Sequence, residues 1–183
     1  MNQELVFITG NQNKADFLTK HLDVPVSHQK LDLDEIQSLD PQVVVEYKVK
    51  QAYENIKKPV LVEDARLIFT AMGRLPGTFI KWFIEEIGYD GLLKLANRLP
   101  SQEAIGRVCY GLFDGKNLQF FDGEMRGRIA KEPGKGSMGF GFDPIFINDG
   151  FDIPRSDMAE ADYDRTSYRI DAISAMRQYL TKS

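Results

Sequence analysis

The stretch that decides the fold is Leu5-Val6-Phe7-Ile8-Thr9-Gly10-Asn11-Gln12-Asn13-Lys14. Its four apolar residues predict a buried strand, and the segment from about Lys14 to His21 predicts a helix capped by Asn11 or Asn13. A strand that turns tightly into a helix offers backbone N–H groups and a lysine ammonium to phosphate oxygens. The turn therefore predicts a phosphate site. The GxxxxGK[ST] form is absent, so an ordinary turn with an exposed lysine is the alternative.

Three acids downstream are candidates for a cation site. Glu35 lies near the end of a predicted strand, 29–36, and Glu63-Asp64 follows the apolar run 60–62, which predicts a central strand. Adjacent residues on a strand point to opposite faces, so Asp64, expected to begin a loop, is the better ligand. Glu63 is expected to bind a second ion, to orient Asp64 or to be solvated. Carboxylates bind Mg²⁺ through oxygen, and with the phosphate turn they predict an enzyme that processes nucleotides.

Strand and helix patterns mix along the whole chain and predict an α/β or α+β fold with a mixed sheet. Its 183 residues fit one domain, 1–183. Asp40-Pro41 is a helix start signal, and Gly88 is a stop signal. The expected helices cover 41–57, 80–87, a segment from Asp90, and 167–180. The expected later strands cover 105–113, 118–121 and 125–130, the first two joined by an Asp114-Gly115 turn.

The composition narrows the class of protein. A net charge of −4 argues against non-specific binding to nucleic acid or to an anionic membrane. No apolar run approaches the roughly 20 residues of a membrane-spanning helix, and the N-terminus lacks the form of a signal peptide. The single cysteine, Cys109, allows no disulfide within the chain and fits a reducing compartment. We therefore expect a cytoplasmic protein.

Two further groups are candidates for substrate binding. Lys48 and Lys81 lie on predicted helices, where most lysines face solvent, but the rigid turn 75–77 is placed to aim Lys81 inward. Phe140-Gly141-Phe142-Asp143 offers aromatic faces that stack on a base and a carboxylate that accepts hydrogen bonds from a base edge. The alternative for this second segment is a pair of core aromatic side chains around a turn.

Taken together, these segments resemble the inosine triphosphate pyrophosphatase family, which hydrolyses purine nucleoside triphosphates with non-standard bases. The motifs occur in one order over almost the whole chain: Thr9-Gly10-Asn11…Lys14, Glu35-Ile36-Gln37, Val62-Glu63-Asp64, Leu75-Pro76-Gly77-Thr78 with Lys81, Phe140-Gly141-Phe142-Asp143-Pro144, Met158-Ala159-Glu160 and Ser167-Tyr168-Arg169. The resemblance implies an elongated mixed sheet with helices, two lobes around a substrate cleft, and a homodimer. It also implies Mg²⁺-dependent release of pyrophosphate and a nucleoside monophosphate.

The resemblance also implies a role for each motif. The phosphates would be held by Thr9, Gly10, Asn11, Gln12, Asn13, Lys14, Lys48 and Lys81. Mg²⁺ would be bound by Glu35 and Asp64, with Glu63 assisting. The base would be held by Phe140, Gly141, Phe142 and Asp143 and closed in by Ser167, Tyr168 and Arg169. In catalysis Lys14 and Lys81 would neutralise phosphate charge while Asp64 orients or deprotonates the water that attacks the α-phosphorus.

Several positions depart from the family pattern. Ala65, counted with the substrate-binding residues, and Arg66 replace the common Ser-Gly. Tyr168 replaces a histidine, and the shortened stretch 162–165 lacks a lysine for which Arg165 is the available substitute. The changes at Tyr168 and at the missing lysine fall on base recognition and predict altered or relaxed base specificity. Two alternatives are a nucleotide sensor without catalysis and a pyrophosphatase for a pyrimidine or another modified nucleotide.

Overall fold

A computed structural model describes residues 5–182 and has a seven-stranded mixed sheet flanked by helices. The strands are β1 (Leu5–Ile8), β2 (Val26–Gln29), β3 (Val60–Phe69), β4 (Pro76–Gly77), β5 (Glu103–Phe113), β6 (Leu118–Ile129) and β7 (Phe146–Asn148). Their order is β2-β1-β3-β5-β6-β7, with β4 paired to β3. β1 pairs in parallel with β2 and β3, whereas β3–β4 and β6–β7 are antiparallel. The predicted α/β class with a mixed sheet is confirmed.

The helices follow the capping signals of the sequence. They are α1 (Gln12–Leu22), α2 (Pro41–Ile56), α3 (Ile80–Ala96), α4 (Glu160–Arg165) and α5 (Tyr168–Lys182), with short 3₁₀ turns at Thr70–Met72, Asp143–Ile145 and Arg155–Asp157. Asn11 caps α1 and Asp40 caps α2, because each side chain accepts a hydrogen bond from a backbone N–H of the first turn. Gly88, with φ of 64°, interrupts α3 where a helix end was predicted.

The chain divides into two compact units. The first contains residues 5–64, 108–123 and 169–182, and the second contains residues 65–107 and 124–168. The core of the first unit joins β1, α2 and β3 through Val6, Val45, Val60 and their neighbours, and it includes the buried Cys109. No helix within residues 5–182 has the length and apolar character needed to cross a membrane.

Three strand predictions were wrong. The strand expected over 29–36 lies earlier, at β2, and the segment 30–40 is irregular. Its alternating Leu31 and Leu33 pack on the core, while Gln51 of α2 bonds both the backbone N–H and the carboxylate of Asp34 at 2.9 Å. β3 continues to Phe69, so Asp64 lies inside a strand and begins no loop. The segments expected as separate strands at 118–121 and 125–130 form one strand, β6.

Candidate active site

The turn after β1 is held in shape by its own side chains. All four residues of β1 are buried, which fixes the position at which the chain leaves the sheet. Asn11 donates its backbone N–H to Thr9 Oγ1 at 3.1 Å, and Asn11 Oδ1 accepts from the backbone N–H of Lys14 at 3.3 Å. Gly10 lies within this turn, and Gln12 and Asn13 are the first two residues of α1. The result is an ordered helix N-terminus whose backbone donors suit an anion.

Glu63 is a buried carboxylate bound by two cations. Lys14 Nζ lies 3.0 Å from Glu63 Oε1, and Arg169 donates from Nη2 to Oε1 at 2.8 Å and from Nε to Oε2 at 3.2 Å. Burial alone raises the pKa of Glu63, but the charges of Arg169 and Lys14 and the hydrogen bonds from Arg169 hold it well below the usual range. Glu63 is therefore ionised and not solvated, contrary to one of the sequence-based alternatives.

Asp64 is in a different electrostatic state from its neighbour. Its Oδ2 is buried and has no hydrogen-bond partner among the described residues. Burial is the main cause that raises the pKa of Asp64 from 3.8 to about 6; the charges of Glu63 and Glu35 add to the rise, and those of Lys48 and Lys14 oppose it. A carboxylate with this pKa can accept a proton near neutral pH, which is what a general base does.

Glu35 and Lys48 form the outer part of this group. Lys48 Nζ donates to Glu35 Oε1 at 3.1 Å, and the Lys48 side chain is only 16% exposed although it lies on a helix. The charge of Lys48 lowers the pKa of Asp64, and that of Glu35 raises it. The first unit thus brings together Lys14, Glu35, Lys48, Glu63 and Asp64, which the sequence had proposed as phosphate and metal residues.

The donor set suits a hard divalent cation at Asp64. The Asp64 Oδ2 atom is a buried carboxylate oxygen that no donor within residues 5–182 contacts, and the charge of Glu35 acts on the same residue. In residues 5–182 there is no group of three or more His, Cys, Asp or Glu side chains that could hold a metal. Two carboxylates, completed by water and substrate phosphate, are the usual protein contribution to bound Mg²⁺.

The segment 140–143 lies in the second unit, in a turn with positive φ at Gly141 (65°). Phe142 is buried and stacks on Tyr168 with a centroid distance of 5.8 Å and an interplanar angle of 25°. Tyr89 of α3 donates its hydroxyl to the Gly141 carbonyl at 2.6 Å. Phe142 is therefore a core side chain, whereas Phe140 is only partly buried and Gly141 is exposed.

Asp143 is buried and bonded within the protein. Its Oδ1 accepts from Arg155 Nε at 2.9 Å, and its Oδ2 accepts from the Phe140 backbone N–H at 2.8 Å and from the Tyr163 hydroxyl at 2.9 Å. The sequence had assigned this carboxylate to a base edge and had missed Arg155 and Tyr163. Neither role is marked by a motif: Arg155 lies in a 3₁₀ turn and Tyr163 in the short helix α4.

The other predicted residues are distributed over both units. Ser167 and Tyr168 are buried in the second unit, whereas the Arg169 guanidinium, assigned by sequence to the base, contacts Glu63 in the first unit. Lys81 lies on α3 with Nζ 5.1 Å from the centroid of the Trp82 ring. Ala65 follows Asp64 on β3.

Known proteins are similar to this chain over almost its whole length. Residues 5–179 match a family model described as the Ham1 family. The inosine triphosphate pyrophosphatase of Puccinia graminis f. sp. tritici is 35% identical over 190 residues, which cover 98% of this chain and 97% of that protein. The inosine triphosphate pyrophosphatase of Schizosaccharomyces pombe is 34% identical over 182 residues, covering 97% and 95%. The solved Ham1 protein of Staphylococcus aureus has a TM-score of 0.83 at 23% identity, covering 98% of this chain and 99% of that chain, which shows a shared fold.

Proposed function

Because the chain belongs to the Ham1 family, we propose that it hydrolyses nucleoside triphosphates with non-standard bases to nucleoside monophosphate and pyrophosphate. The observation that carries this proposal is the group at the N-terminus of α1. There an ordered phosphate turn and Lys14 lie beside Glu63, next to a carboxylate, Asp64, with a pKa raised to about 6. Phosphoryl transfer needs positioned cations and a group that orients the attacking water, and this group supplies both.

Each residue of the first-unit site has its own proposed role in phosphate binding or catalysis. The backbone N–H groups of Gly10, Gln12 and Asn13 and the Lys14 ammonium bind phosphate oxygens. Lys48 adds a second positive charge. Lys81 of the second unit is proposed as a third phosphate cation. Asp64, whose Oδ2 accepts no hydrogen bond from the described residues, orients or deprotonates the attacking water. Glu63 fixes Lys14 through their 3.0 Å ion pair.

Mg²⁺ is the proposed cofactor, and Asp64 and Glu35 are its proposed protein ligands. Glu63 is less suited, because its oxygens already accept from Arg169 and contact Lys14. A bound Mg²⁺ would neutralise charge that develops on the triphosphate. Lys48 donates from Nζ to Glu35 Oε1 at 3.1 Å and so fixes the orientation of that carboxylate.

Base recognition is proposed for the segment 140–143 with Ser167 and Tyr168 of the second unit. Tyr168 stacks on the buried Phe142 and carries one hydroxyl where the family pattern has histidine, so its hydrogen bonding to a base differs. We therefore propose relaxed or altered discrimination between inosine and adenosine triphosphates.

We also propose a cytoplasmic homodimer that binds neither nucleic acid nor membrane. Trp82 and Ile87 on α3 expose 45% and 46% of their surface, which supports a contact with a second copy. The single cysteine, Cys109, is buried and fits a reducing compartment, and the net charge of −4 disfavours polyanionic partners. Light scattering of the purified protein tests the dimer, and a monomer at micromolar concentration would refute it.

The function is tested by pyrophosphate release from inosine, xanthosine, adenosine, guanosine, cytidine, uridine and thymidine triphosphates, with and without Mg²⁺. The expected result is Mg²⁺-dependent release that is lost in Lys14→Met. The matched control is Lys50→Met, a lysine of α2 whose side chain is 52% exposed. Absence of turnover on the whole panel by folded protein would refute the proposed reaction.

A further inference from the structure

Arg155 is a fully buried arginine outside the phosphate group of the first unit, and it binds three separate segments of the second unit. Its Nη1 donates to Asn148 Oδ1 at 2.6 Å and to Thr166 Oγ1 at 3.0 Å. Its Nη2 donates to the Tyr163 carbonyl at 3.1 Å, and its guanidinium carbon lies 4.3 Å from the centroid of the Tyr163 ring. The remaining nitrogen, Nε, donates to Asp143. All three guanidinium nitrogens thus donate to protein acceptors.

Asp143 connects Arg155 to the turn 140–143 through hydrogen bonds. Its carboxylate receives Arg155 on one oxygen and the Phe140 backbone N–H and the Tyr163 hydroxyl on the other. The turn is closed from the opposite direction by the Asp143 N–H, which donates to the Phe140 carbonyl at 3.4 Å. The backbone of the half-buried Phe140, next to the exposed Gly141, is therefore tied to the buried Asp143–Arg155 ion pair.

The same arginine also fixes the segment that leads into Ser167 and Tyr168. Thr166, which precedes Ser167, accepts from Arg155 through its hydroxyl, and Tyr163 accepts through its carbonyl. Both segments proposed to read the base are therefore held by one side chain. By contrast Arg165, the substitute suggested by the sequence, is 64% exposed and pairs with Asp162.

A buried ion pair adds little stability, because the cost of desolvating the two charges offsets most of their attraction. Well-packed apolar residues at the same positions stabilise a protein equally well. Its advantage is a defined geometry, since the planar guanidinium fixes several acceptors at once. We propose that Arg155 is a positioning residue for base recognition, which acts through Asp143 and Thr166 without contacting the nucleotide. This inference rests on the proposed function.

The test compares the affinities of a ligand with a base and a ligand without one. Calorimetry in Mg²⁺ buffer gives the Kd of inosine monophosphate and of inorganic tripolyphosphate for wild type, Arg155→Lys and Tyr163→Phe. Lysine keeps the charge but lacks the planar fork, and phenylalanine keeps the ring but lacks the hydroxyl that binds Asp143. Arg126→Lys is the matched control, because the Arg126 side chain is 70% exposed in the same unit.

We expect the Kd of inosine monophosphate to rise by about tenfold or more in both variants, as mispositioned binding groups lose affinity steeply. The Kd of tripolyphosphate should stay within about twofold, because the phosphate residues are independent of Arg155. With inosine triphosphate, KM should rise more than kcat falls. A purely structural role would instead weaken both ligands equally, and that result, or two unchanged Kd values, would overturn the inference.

If Arg155→Lys does not fold, the Kd values of Tyr163→Phe and Tyr89→Phe test the inference in its place. Tyr89 is included because its hydroxyl donates to the Gly141 carbonyl of the same turn. Failure of the proposed function has a different signature, because wild type would then bind neither ligand. Wild type that binds tripolyphosphate but not the monophosphate would refute the inference while leaving the phosphate site intact.

Discussion

Replacement of Asp64 by asparagine is expected to lower turnover and, at the same time, to stabilise the folded protein at alkaline pH. The catalytic loss follows from removal of the proposed proton acceptor, and a general base typically contributes about 10²- to 10⁴-fold. The gain in stability follows from burial, which raises the pKa of Asp64 from 3.8 to about 6. A group with a raised acid pKa opposes folding once it is ionised, because the unfolded chain carries that charge in water.

The magnitude follows from the two pKa values. The difference between 3.8 and about 6, at about 1.4 kcal/mol for each pH unit, makes the ionised Asp64 cost about 3 kcal/mol of stability. Below pH 3.8 the Asp64 carboxyl is protonated in both the folded and the unfolded state and does not lower the free energy of unfolding. The loss of stability grows as the pH rises and reaches its full value above about 6. Asparagine carries no charge, so the variant should gain up to about 3 kcal/mol at pH 8, or roughly 6–12 °C in Tm for a chain of this length.

The assay is urea unfolding of wild type and Asp64→Asn at pH 8 and at pH 4, with chelator present so that bound cations do not contribute. Asp32→Asn, an exposed carboxylate of the same unit, controls for the general effect of removing one negative charge. The expected result is a gain at pH 8 that nearly disappears at pH 4. A loss of stability at pH 8, or an equal gain at both pH values, would refute the electrostatic reasoning.

Two further substitutions test the packing around the site. Glu63→Gln should destabilise the protein by about 3–5 kcal/mol, because it leaves the buried Arg169 and the partly exposed Lys14 without their counter-charge. Since the folded-state pKa of Glu63 lies below its usual 4.5, this loss should be full above that pH and shrink below it, and pH-dependent urea unfolding that shows no such loss would contradict the ion pairs. Gly127→Ala should cost about 1–3 kcal/mol, because a Cβ there would lie 2.0 Å from the Ile147 carbonyl oxygen, and an unchanged Tm would show that β6 and β7 tolerate the methyl group.

Much of the local structure could be predicted because its signals are local. Asn11 and Asp40 cap helices through their own side chains, and Gly88 interrupts a helix through its own φ angle. The strand over 29–36 was wrong because alternation of apolar residues reports burial on one side, not backbone pairing. Leu31 and Leu33 are partly buried beneath an irregular chain that side chains of α2 hold in place.

Pairing between distant residues could not be predicted from spacing. Arg169 was expected at the base but binds Glu63, 106 residues earlier in the chain. Arg155 had no motif at all, yet it is the side chain that holds Asp143. Neither partner could be identified from the residues around the arginine, because the tertiary fold determines which distant charge lies beside it.

The sequence by itself determined the α/β class, the phosphate turn and the identity of the acids beside it, since these depend on periodicity, capping and side-chain chemistry. Only the tertiary structure decided what each acid does. Glu63 and Asp64 are neighbours on one strand that point to opposite faces, so one meets Arg169 and Lys14 and keeps a low pKa. Asp64 is partly buried, and its buried Oδ2 accepts no hydrogen bond from the described residues. Its pKa rises to about 6 because burial, and not sequence, sets the cost of its charge.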